Sequence, residues 1–198
     1  MTTPYFFIEE HRILSALFDE GLDVLHMRKP DSEVVYSERL LTLLPTTYRK
    51  KVMIHDHFYL KKEYGLRGLH INPRSAATDK KYSGSMSCTL GNIEEVEAMK
   101  KMFDYMFLGP LYNSNLPENQ KGSLIDKENL VKGARSGAID RKVMAMGNVT
   151  LDNVAELRDL NFGGVVILGD IWNKFNIHST QDFKELIEHF KRLRKAVD

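Results

Sequence analysis

Two stretches decide how this chain folds: Val143-Met144-Ala145-Met146-Gly147-Asn148-Val149-Thr150 and, further on, Gly164-Val165-Val166-Ile167-Leu168-Gly169-Asp170-Ile171. Each is a short apolar run without strict alternation, ended by a glycine and followed by a segment of helical period. That is how a parallel strand covered on both faces reads. Working outward, similar runs occur at Tyr5 to Ile8, Leu22 to Met27, Val52 to His55, Gly68 to Ile71, Ser83 to Ser87 and Tyr105 to Leu108. The alternation of strand and helix is thus sustained over eight units. It predicts an α/β protein, a single-domain (β/α)₈ barrel (TIM barrel) spanning residues 1–198. An open doubly wound sheet is the alternative, because Asn72-Pro73-Arg74 and the polar run to Lys81 leave little room for a full helix between Ile71 and Ser83.

The helices are clearest at three places. Ile13, Leu14, Leu17 and Phe18 recur at helical spacing before Gly21, and Leu151, Val154, Ala155 and Arg158 follow Thr150, with a stop near Asn161 and Gly163. Phe183, Leu186, Ile187, Phe190 and Leu193 form a third face, with Ser179 or Thr180 placed to cap it. The longest polar connection, Gly109 to Gly122, has the length of a functional lid or a mobile segment.

Composition narrows the function. Among 198 residues, 42% are hydrophobic, and 28 Lys and Arg balance 27 Asp and Glu for a net charge of +1. No overall positive field exists to hold nucleic acid or an anionic membrane, so any anion must be bound locally. One cysteine, Cys88, excludes an intramolecular disulfide, no apolar run reaches membrane-spanning length, and the first residues do not read as a secretory signal. The expected compartment is the cytoplasm.

Barrels commonly hold phosphate where the loops after strands seven and eight meet a short extra helix, here Ile171 to Phe175. Backbone amides around Gly147, Asn148, Leu168 and Gly169 are therefore the candidate phosphate site. The plain structural alternative is that the two glycines only shape tight turns. Asp170 adds a negative charge beside this site, so its side chain is expected to point away.

A second constellation sits at the ends of the early strands. His26 and Arg28 close the second strand with the same facing, His55-Asp56-His57 closes the third, and His70 closes the fourth. Histidine titrates near neutrality and serves as acid, base or metal ligand. A single histidine at a strand end is more often a hydrogen-bonded structural residue, Arg28 could pair with an acidic neighbour, and Asp56 could cap the helix near Phe58. The spacing matches no zinc signature.

Taken in order, Leu25-His26-Met27-Arg28-Lys29-Pro30, His55-Asp56-His57, Gly68-Leu69-His70, Ser87-Cys88-Thr89, Tyr105-Met106-Phe107-Leu108-Gly109-Pro110 and Met146-Gly147-Asn148-Val149-Thr150 resemble the thiamine-phosphate synthase/TenI superfamily. The resemblance covers about Tyr5 to Ile171. It implies a (β/α)₈ barrel, often dimeric, acting on the phosphorylated thiazole unit of thiamine. Synthases of that family join this unit to a pyrimidine methyl diphosphate, using magnesium and expelling pyrophosphate. Arg28 keeps the family's arginine and Asp56 its first metal carboxylate. The other positions depart from the pattern: Pro30 stands at the lysine, His55 at an asparagine, Ser75 near the second aspartate, and Asn113-Ser114-Asn115 in the threonine-lysine loop. Lys29 and Lys121 could compensate by a shifted register.

Fewer charges for a departing pyrophosphate favour the TenI branch, whose members include thiazole tautomerases. The histidine that some of them carry after strand six is absent, since Gly109-Pro110-Leu111 stands there, so another base must act. The expectation is a TenI-like tautomerase, with the synthase and a non-catalytic binder of thiamine intermediates or of a protein partner as alternatives. Expected catalytic residues are His26, Arg28, His55 and His57. Lys29, His70, Ser87 and Ser114 are expected to meet substrate, and Asp56 to bind magnesium weakly unless a diphosphate supplies further oxygens.

Overall fold

The computed structural model describes residues 1–30, 32–73, 84–112, 125–175 and 183–197. In chain order the elements are α1 (Glu10–Asp19), β1 (Leu25–Met27), α2 (Val34–Leu43), α3 (Thr46–Arg49), β2 (Val52–Ile54), α4 (Leu60–Tyr64), β3 (Gly68–His70), β4 (Ser85–Leu90), α5 (Ile93–Met99), β5 (Tyr105–Leu108), α6 (Lys127–Ser136), β6 (Val143–Met146), a 3₁₀ helix (Val154–Leu160), β7 (Gly164–Val166), α7 (Gly169–Trp172) and α8 (Lys184–Val197). The chain forms two compact units. One comprises Met1–His70, Ser83–Ser85 and Ile171–Lys191, the other Ile71–Tyr82, Met86–Asp170 and Arg192–Asp198.

In the first unit the hydrogen-bonded strand neighbours are β1-β2-β3, and the pairs are parallel, with His26 opposite Met53, Met27 opposite Ile54 and Ile54 opposite Leu69. All three strands are buried along their length, which explains why they read as continuous apolar runs. The apolar stripe of α1, Ile13, Leu14, Leu17 and Phe18, is buried as its spacing requires.

In the second unit β4-β5-β6-β7 are neighbours in chain order and again parallel, with Cys88 opposite Met106 and Ala145 opposite Val165. Their core gathers Cys88, Leu90, Met106, Leu108, Val143 and Ala145 with Val96, Leu130 and Val154 from the covering helices. The side chains of Asn92 and Asp126 accept from the amides of Glu95 and Asn129, capping α5 and α6.

Seven strands, not eight, occur among the described residues. The run Tyr5 to Ile8 is not a strand. The edge of β1 is met earlier, where Thr2 N donates to His26 O at 3.0 Å and the Thr2 hydroxyl both accepts from Arg28 N and donates to Arg28 O. Pro4 lacks a donor to continue such a ladder. The aromatic residues after it serve packing instead: Phe6 stacks on Tyr36, and Phe7 meets Trp172 and Phe175. The segment expected as a helix after Thr150 is the tighter 3₁₀ form, ended by Asn161 at φ +59°. Ser179, Thr180, most of the stretch between Ile71 and Ser83 and most of the Gly109 to Gly122 connection lie outside the described residues. No described helix is long and apolar enough to cross a membrane.

Candidate functional site

The ends of β1, β2 and β3 bring three histidines together. His26 lies within β1, His55 directly follows β2, and His70 ends β3. In a parallel ladder with His26 opposite Met53 and Ile54 opposite Leu69, His55 stands two residues beyond Met53 and next to His70 in register, so the pleat turns all three to one face. His26 Nδ1 and His55 Nε2 are 2.9 Å apart, a hydrogen bond in which one ring donates and the other accepts. The rings of His55 and His70 stack with centroids 4.1 Å apart, and His26 lies edge-on to both at 5.2 Å.

Burial strongly favours the neutral form of these rings. It pushes His55 down to about 2 and His70 to about 4, and holds His26 well below its ordinary value. Positive neighbours add to the effect: Arg28 acts on His55 and His70, while Arg67 and the chain's amino terminus act on His26, alongside the other two imidazoles. Arg28 is exposed, so a guanidinium stands at the solvent side of the cluster.

The structure therefore separates residues the sequence could only set side by side. His57 is exposed and lies outside the cluster, because its backbone turns into the left-handed region at φ 54° as the chain leaves β2. Its carbonyl accepts from Leu60 N at the start of α4. Asp56 and His57 therefore do not continue the face-to-face alternation of β2, which ends at Ile54. Asp56 is exposed and belongs to no group of three or more potential ligands among the described residues.

Lys29 does not face the strand ends as a free cation. It is buried, with Nζ 2.6 and 2.8 Å from the two carboxylate oxygens of Glu10 and further bonds to the carbonyls of Thr3 and Tyr5. Burial raises the Glu10 carboxyl and lowers the Lys29 ammonium, each partly offset by the other's charge. The sequence carried a signal for Glu10 and none for its partner: Glu10 stands on the same helical face as Ile13, Leu14 and Leu17, where a charge must find an opposite one.

The second candidate region lies wholly within the other unit. Gly147 has φ +102°, and a β-carbon there would lie 2.5 Å from Pro110 Cα, so both conformation and packing demand glycine. Asn148 follows at φ +48° and is exposed. The loop is tied by Asn153, whose side chain donates to Asn148 O and accepts from Thr150 N. Asp170 Oδ2 accepts from Leu151 N at 3.1 Å, which joins this loop to the one carrying Leu168 and Gly169 and directs the carboxylate at a backbone amide. Gly169 opens α7, slightly earlier than Ile171. Ser87 is fully buried on β4, and its carbonyl accepts from Ile71 N. Ser114 and Lys121 lie outside the described residues.

The family described as thiamine monophosphate synthase matches residues 4–171. A thiamine-phosphate synthase of Staphylococcus carnosus is 24% identical over 190 residues, covering 90% of this chain and 88% of that protein. Among solved structures, the thiamine phosphate pyrophosphorylase of Bacteroides thetaiotaomicron is 44% identical, with a TM-score of 0.85 over 98% of this chain and 94% of that one. The thiamine phosphate pyrophosphorylase of Pyrococcus furiosus, 17% identical with a TM-score of 0.73 over 94% and 88% of the two chains, is similar in fold.

Proposed function

The chain belongs to the thiamine monophosphate synthase family, and from that membership we propose that it is a thiamine-phosphate synthase, joining a pyrimidine methyl diphosphate to thiazole phosphate with release of pyrophosphate. The observation that carries this reading is the 44% identity, over 98% of the chain, to a thiamine phosphate pyrophosphorylase. In this reading the strands belong to a (β/α)₈ barrel. The backbone around Gly147, Asn148, Leu168 and Gly169 holds the thiazole phosphate, as strand-end amides hold anions. Arg28, exposed beside the imidazoles, supplies positive charge to the diphosphate. Magnesium would be held by Asp56 together with diphosphate oxygens, where it would supply positive charge to the pyrophosphate leaving group.

A TenI-like tautomerase is the second reading, favoured by the commitment of Lys29 to Glu10, which leaves that ammonium unavailable to a diphosphate. Against it stands the chemistry of the base. A general base works best with a value near the operating pH, whereas His55 and His70 are pushed to about 2 and about 4. The synthase needs no such base.

Both reactions are tested with the purified chain. Supplied with pyrimidine methyl diphosphate, thiazole phosphate and Mg²⁺, it is expected to form thiamine phosphate and pyrophosphate in equal amounts, and Arg28→Ala to lower that rate by about 10²-fold or more. Absence of thiamine phosphate, with aromatisation of the thiazole phosphate carboxylate instead, would replace the synthase by the tautomerase.

A further inference from the structure

We propose that His26, His55 and His70 form a three-imidazole site for one divalent transition-metal ion, with Zn²⁺ as the reference ion. Each ring offers a nitrogen, and these three atoms lie within 4.8 Å of one another. Among the described residues this is the only group of three or more His, Cys, Asp or Glu placed to share an ion. A tetrahedral ion bound at about 2.0–2.1 Å separates its ligand atoms by roughly 3.3 Å, so the 2.9 Å pair of His26 and His55 needs to open by a few tenths of an ångström, and the widest separation, within 4.8 Å, to close by up to about 1.5 Å as His70 turns out of its stack on His55. One nitrogen of that pair carries a proton in the hydrogen bond. An ion placed between the two rings takes its place, and the imidazole keeps its proton on the other nitrogen.

Two features suit the rings to this task. They are held by three hydrogen-bonded strands, which fixes the separation of their backbones before any ion arrives. They offer nitrogen alone, a donor set that selects zinc, nickel or copper over magnesium. The positive charges of Arg28 and Arg67 oppose a dication, and the same field favours an anion as the fourth ligand. Three histidines with one such open position resemble a reactive zinc centre more than a closed structural one. The site is distinct from the magnesium expected at Asp56, which takes hard oxygen ligands, and it does not depend on which of the two reactions the protein performs.

The test is direct titration of the whole, chelator-stripped chain with Zn²⁺ in competition with a chromogenic chelator, followed by Co²⁺ as a spectroscopic probe. One Zn²⁺ per chain is expected, with intense visible Co²⁺ bands of a four- or five-coordinate ion. His26→Gln, His55→Gln and His70→Gln, each checked for folding by circular dichroism, are expected to weaken binding by about 10²-fold or more, and His11→Gln not at all. X-ray absorption on the zinc-loaded wild-type protein needs no variant, and it is expected to count three imidazoles. Fewer than three, a lack of one-to-one binding, or unchanged affinity in the folded histidine variants would overturn the site.

Discussion

Lys29 and Glu10 illustrate how strongly a single residue's surroundings can redirect its role. Their side chains are 2% and 0% exposed, so neither charge is screened by water and each depends on the other. Removing one partner leaves an uncompensated charge in the core, which costs about 3–5 kcal/mol, whereas replacing both by apolar residues of similar size is often close to neutral. Lys29→Met is therefore expected to lower unfolding stability by about that amount in urea titrations, and Glu10→Leu/Lys29→Met to recover most of it. Equal losses in the single and double variants would mean that the pair does not act as a unit. Cys88, at the same scale, is held by burial at about 12 and stays a thiol, so it packs as a small apolar residue.

At the scale of elements, α5 and α6 depend on capping as well as on packing. Each begins with an extended residue, Asn92 or Asp126, whose side-chain oxygen accepts from the amide three residues on. A cap of this kind is worth about 1 kcal/mol, so Asn92→Ala and Asp126→Ala are each expected to destabilise by about 0.5–2 kcal/mol, read from urea midpoints. Because these caps lie on separate helices, the double variant should lose close to the sum, and strong non-additivity would argue that the two helices rely on a shared contact. The β-strands rest on a different device. The residues of β1, β2 and β3 are buried on both faces, so core packing and backbone pairing hold them, and no single cap decides their existence.

For the whole molecule, the histidine cluster contributes to the response to acid, in the same sense as the amino terminus, which burial lowers to about 5. His26, His55 and His70 are depressed in the folded protein, chiefly by burial, so below their unfolded value of about 6.5 the unfolded chain binds protons that the folded one refuses. Stability is fully present above that pH and falls as the pH drops, by up to about 1.4 kcal/mol per unit for each group, down to about 4 for His70 and about 2 for His55. Glu10, whose carboxyl is raised, works in the opposite sense near and above its ordinary value. The comparison that isolates the imidazoles is wild type against His70→Gln in chelator, by urea unfolding at several pH values between neutrality and 5, where the variant should lose less stability on acidification. Parallel curves would remove His70 from the acid response. The sequence by itself determined the alternation of parallel strands and helices, because strands covered on both faces must be apolar throughout, and it marked the histidines, Arg28 and the glycine-ended loops as the chemically rich positions. It could not tell the apolar run Tyr5 to Ile8 from a strand, since aromatic packing and strand pairing ask for the same residue types. Tertiary structure alone decided that Lys29 pairs with Glu10 and that His70, not His57, joins His26 and His55. Those partners lie far apart along the chain, and only the register of neighbouring strands and the turn at His57 determine which side chains meet.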